Sequence, residues 1–182
     1  MKLSLPLSDF MPLSRRADSV SRRMMWVLIA LLPGIAVATW WYGTGVLVNV
    51  GLCTVTALMV EAVLLLWRGK PVMLFLTDGS AVVTAWILGL SIVPILPWQV
   101  TVFVAAFAIL IKQLYGGLGQ NPFNPAMAAV CFLIVAFPSD ANNWFTVLRT
   151  REPAAQWEKI FNVDTERHPV SVVQATPKVT AV

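Results

Sequence analysis

VLVNVGLCTVTALMVEAVLLLW, residues 46 to 67, is an almost unbroken apolar run closed by Arg68 and Lys70. As a helix it is long enough to cross a bilayer core of about 30 Å. Its only charge is Glu61, which lies away from both ends. An unpaired charge in lipid costs at least about 2.5 kcal/mol, so Glu61 must face protein or water. Two uses fit that position: a relay on an ion or proton path, or a structural pair, with Lys112 as a partner within the chain.

Four further apolar runs flank this one. Met24 to Tyr42 ends in Trp40, Trp41 and Tyr42, the amphipathic aromatics expected at a headgroup boundary. Ala81 to Leu96 is broken near its end by Pro94 and Pro97, and Trp98 to Tyr115 carries Lys112 one turn from its end, close enough to snorkel to the interface. Pro125 to Phe137 reaches only about 20 Å as a helix. It must recruit Gly119 to Asn124, tilt little, or remain partly re-entrant. The fold class expected is an all-α membrane protein with about five transmembrane helices and an extramembrane tail.

Composition agrees. The 182 residues are 58% hydrophobic and 12% charged, with a mean hydropathy of +0.74, whereas soluble domains carry about a quarter charged residues. The net charge of +4 sits at the ends of apolar runs, without the aromatic-studded basic face that nucleic-acid binding needs. Cys53 and Cys131 lie singly inside apolar runs, so neither a disulfide framework nor a metal site is expected, and both read as small packing residues. His168, the only histidine, has no ligand-like neighbours. The first apolar run is not followed by a small-residue cleavage site and is expected to remain as an anchor.

Charge placement orients the chain. Arg15, Arg16, Arg22 and Arg23 precede the first run, and Arg68, Lys70 and Lys112 mark later turns, while residues 43–45 and 94–97 have no cation. The positive-inside rule then makes residues 1–23 a cytoplasmic leader, 24–137 the transmembrane repeat and 138–182 a water-exposed periplasmic segment. The tail's balanced charges give no independent vote on its side.

Two local patterns suggest sites. Gly116, Gly117, Gly119 and the Asn121-Pro122 and Asn124-Pro125 pairs make an irregular stretch, either a plain interhelical loop or backbone packed in protein or lining a cavity. Asp78-Gly79-Ser80 reads as a helix cap, or as a start whose free N–H groups attract an anion or polar ring. Trp98 and Trp144 join Trp40 and Trp41 as belt anchors.

The stretch Lys112-Gln113-Leu114-Tyr115-Gly116-Gly117-Leu118-Gly119-Gln120-Asn121-Pro122-Phe123-Asn124-Pro125-Ala126 resembles the signature of the D subunits of Rnf complexes, ion-translocating ferredoxin:NAD oxidoreductases. It also resembles the related B subunits of sodium-pumping NADH:quinone oxidoreductases. Similar agreement runs over Arg22 to Trp41, Ala57 to Arg68, Asp78 to Gly89 and Phe132 to Pro138. The resemblance implies a bacterial inner-membrane flavin subunit whose five-span halves form an inverted repeat with a transporter-like fold, this chain matching the N-terminal half. It also implies FMN joined by a phosphoester to a threonine after the fifth span, which here is Thr176 in Gln174-Ala175-Thr176, with a second, noncovalent flavin such as riboflavin left open. The flanks differ from the usual pattern at Val170, Lys178 and Val179. The partners implied are the other membrane, flavin and iron–sulfur subunits, membrane lipid, and a flavin transferase for maturation, with no nucleic acid. No nucleophile, acid and base set suggests catalysis by the chain alone. The competing reading is a channel or carrier for a small solute or ion, and a purely structural assembly subunit is a third.

Overall fold

The structure, a computed structural model, describes residues 13–114, 121–144, 147 and 152–161, and every regular element among them is a helix. The elements are α1 (Leu13–Tyr42), α2 (Gly45–Trp67), α3 (Val72–Leu76), α4 (Ser80–Ser91), α5 (Trp98–Leu114), α6 (Pro125–Ala136), α7 (Pro138–Ala141) and α8 (Pro153–Phe161). Five of these are the expected apolar runs. By length and apolar character α1 and α2 can each cross a membrane, while α4, α5 and α6 are shorter. α1 begins at Leu13, so the segment before Met24 is already helical there.

Local chemistry sets the helix ends. At the end of α2 the Lys70 N–H donates to the Leu65 carbonyl and the Gly69 N–H to that of Leu66, both at 3.0 Å. Gly69 has a φ of +63°, which a glycine adopts without a Cβ clash, and the paired bonds form a Schellman cap. Asn124 caps α6 by accepting from the Ala126 N–H at 3.0 Å, with Pro125 as the first helical residue. α4 stops at Ser91, short of the expected Leu96. Ile92 is extended and Pro94 prevents the helix from resuming. The freed Val93 carbonyl accepts from Asn49 Nδ2 at 2.8 Å, which ties the break to α2.

Packing is arranged for lipid. The faces that meet are lined by small and polar residues: Cys53, Thr56 and Ala57 on α2, Ala81, Thr84 and Ala85 on α4, and Thr101, Ala105 and Ala108 on α5. A Cβ at Gly89 would lie 2.9 Å from the Val50 Cα, so α2 and α4 touch backbone to backbone. Large apolar side chains point outward instead; Leu47, Val55, Met59, Val63 and Leu66 along α2 are 50–67% exposed. Water would not tolerate such a surface. Cys53 is fully buried in the core, and Cys131 is exposed on α6.

Part of the tail packs against the bundle. Within residues 138–182, read as water-exposed, Ala141, Val147, Gln156 and Ile160 are buried, while Glu152, Glu158 and Lys159 are exposed. Gln156 is the reason α8 returns to the bundle. Its Nε2 donates to the Tyr42 carbonyl at 2.7 Å, and its Oε1 accepts from the Gly45 N–H at 2.9 Å. One side-chain amide thereby serves the last carbonyl of α1 and the first N–H of α2, groups that helix geometry leaves without intrahelical partners.

Candidate functional site

Glu61 stands where α2, α4 and α5 meet. It is 2% exposed, and the residues of α2 that share its face, Ala57 and Leu65, are 1% exposed. Lys112 on α5 follows Thr101, Val104, Ala105, Ala108 and Ile109 around the buried stripe of its helix. Its ammonium therefore points inward, 2.6 Å from Glu61 Oε1 and 2.6 Å from the hydroxyl of Ser80, the first residue of α4. Lys112 is 4% exposed. The snorkelling expected of it does not occur, because a buried carboxylate lies within reach and stabilises the ammonium more than distant headgroups could. The structural pair weighed for Glu61 is thus formed.

Neighbouring polar groups complete the cluster. Gln113 Nε2 donates to the same Glu61 Oε1 at 3.0 Å, and Arg68 Nη1 donates to the Gln113 carbonyl at 2.7 Å. The bonds from Lys112 and Gln113 thus converge on one carboxylate oxygen. Glu61 Oε2 is buried and has no hydrogen-bond partner among the described residues. A carboxylate oxygen has two acceptor sites, so this atom could take a proton or a cation without breaking the existing contacts.

The remaining predicted residues are more dispersed. Asp78 Oδ1 accepts from the Ser80 N–H at 2.8 Å, the capping use expected of Asp78-Gly79-Ser80. The hydroxyl of Ser80 also reaches Lys112, a role that its sequence context does not suggest. Of the glycine and Asn-Pro stretch, Asn121 donates to the Ile111 carbonyl at 3.4 Å and Asn124 caps α6. Residues 115–120 lie outside the described residues, as do His168 and the Gln174-Ala175-Thr176 motif. Trp40, Trp41, Trp98 and Trp144 are exposed, and Trp144 packs edge-on against Tyr42 with ring centroids 5.7 Å apart. Gln113 and Gln156 were not among the expected site residues; Gln113 follows an available signal, a polar residue at a helical spacing from the buried Ile109, whereas the partners of Gln156 lie far away in the sequence.

Residues 8–180 match the model of the NQR2, RnfD, RnfE family. The chain is 45% identical over 134 residues to the D subunit of the ion-translocating oxidoreductase complex of Escherichia fergusonii, an alignment covering 73% of this chain and 38% of that protein. Over the same length and shares it is 47% identical to the protein of the same description from Aeromonas hydrophila subsp. hydrophila and 48% identical to that from Tolumonas auensis. The chain thus spans 38% of the length of these curated relatives. On this match over nearly its whole length, the chain belongs to the NQR2, RnfD, RnfE family.

Proposed function

We propose that this chain is part of a membrane flavin subunit of a redox-driven, ion-translocating complex of the ferredoxin:NAD oxidoreductase type. In this reading Thr176 carries FMN through a phosphoester and Glu61 contributes to cation passage. The location is the bacterial inner membrane, with residues 1–23 cytoplasmic and 138–182 periplasmic. The other membrane, flavin and iron–sulfur subunits are its partners, and a transferase attaches the flavin.

The observation that carries the ion-path part is the half-used carboxylate: Glu61 is buried among the helices with Oε1 held by Lys112 and Gln113 and Oε2 without a partner among the described residues. Ionisable groups buried within membrane-spanning helices often mark ion or proton pathways. A flavin supplies one- and two-electron redox chemistry wherever it is attached. The chain's own part is to hold the flavin by its threonine, to keep a carboxylate inside a closely packed helical core, and to balance that charge with Lys112.

The experiment is a pair of substitutions in the assembled complex. Glu61→Gln should lower redox-driven cation uptake into proteoliposomes, normalised to flavin content, while Thr176→Val should abolish in-gel flavin fluorescence of this subunit. Unchanged uptake in the first removes Glu61 from the path. Persistent fluorescence in the second places the flavin elsewhere. A small-solute carrier would show no covalent flavin in either the parent or the variants.

A further inference from the structure

α8 presents three different faces. Successive residues of a helix are offset by about 100°, so Gln156 and Ile160 share one face, Trp157 and Phe161 the next, and Glu158 and Lys159 the remaining arc. The first face is buried, with Gln156 and Ile160 at 0% and 1% exposure. Trp157 and Phe161 are exposed and stacked on each other, with ring centroids 5.4 Å apart and planes 18° from parallel. The charged residues are exposed.

We propose that the Trp157 and Phe161 face of α8 docks on lipid, lying in the headgroup boundary at the end of the bundle where the α1–α2 turn emerges. Height is fixed by Gln156, whose bonds to the Tyr42 carbonyl and the Gly45 N–H hold α8 level with that turn. The same end carries Trp40, 85% exposed, and Trp41, 58% exposed, on the last turn of α1. Exposed tryptophans at one height mark a membrane–water interface, where an aromatic ring is stabilised on both sides. Order around α8 fits this placement as well: the aromatic face lies between the bundle-facing residues and the charged arc, as a helix at the boundary requires, with its charges turned to water. The fit is to the phospholipid boundary itself, and it needs no particular headgroup.

Photo-crosslinking in the whole complex tests this. Benzoylphenylalanine is placed at Phe161 or, in a second variant, at Trp157, with Glu158 as the comparison position. After irradiation of membranes containing the complex, the peptide bearing position 161 or 157 should carry a phospholipid adduct, and that bearing 158 should not. If one variant fails to assemble, the other reads the same face. A cross-link to a neighbouring protein at 157 and 161, or no lipid adduct at either, overturns the proposal.

Discussion

Lys112 Nζ lies 2.6 Å from Glu61 Oε1, so a buried ion pair joins α5 to α2 near the end of the bundle where α5 finishes and α4 begins. Both charges are removed from water, and each is tolerable there chiefly because of the other. Replacing Lys112 with Met should cost about 3–5 kcal/mol, the usual consequence of stranding a buried charge. Combining Lys112→Met with Glu61→Leu should recover most of that loss. Thermal unfolding of the purified complex reads both. A double variant no more stable than Lys112→Met would mean that the pair does not behave as a coupled unit.

Close approach of α2 and α4 at Gly89 makes that position intolerant. Gly89→Val must push the Val50 backbone away, and the amount of assembled protein in membranes should fall sharply. Gly51 has open space where a Cβ would go, and Gly51→Ala in the same helix pair should leave assembly intact. Equal losses from both would show that the distinction between the two sites is wrong.

Removing the Gln156 amide should loosen the α1–α2 turn. Gln156→Leu leaves the part-buried Tyr42 carbonyl and the buried Gly45 N–H without their partner, a cost of about 1–3 kcal/mol for the buried N–H. Hydrogen–deuterium exchange should accelerate at the amides of residues 44–46. The Schellman-capped end of α2 at Gly69 should exchange as before.

Orientation can be tested from both ends. A membrane-impermeant thiol reagent applied to intact cells should label a cysteine introduced at Ser139 but not one introduced at Ser14. Labelling at Ser14 alone would invert the proposed topology.

Much of this fold is legible in the sequence because lipid imposes a simple rule of apolar length. The runs expected to end at Tyr42, Trp67, Tyr115 and Phe137 correspond to helices ending at Tyr42, Trp67, Leu114 and Ala136, and Pro125 after Asn124 fixes the start of α6. Glu61 is legible for the same reason, since a lone carboxylate in an apolar run must face inward. The direction of Lys112 is not, because snorkelling and pairing both satisfy a cation one turn from a helix end. Only the stripe of Thr101, Ala105 and Ala108 decides it, and that stripe acquires meaning when α2 and α4 are known to lie against it. Gln156 depends on chain folding over a long span of sequence, from α8 back to Gly45, and no local pattern announces such a contact.

The brevity of α4 and α6 bears on the electric field inside the membrane. Each has 12 helical residues, about 18 Å of rise, against a bilayer core of about 30 Å. Moving a unit charge through 100 mV exchanges about 2.3 kcal/mol whatever the path length. Where the insulating layer is thinner, however, the same voltage falls over a shorter distance. As regular helices α4 and α6 thus cover only about 18 Å of that drop, and after α4 the buried, non-helical Ile92, Val93, Ile95 and Leu96 carry the apolar layer onward.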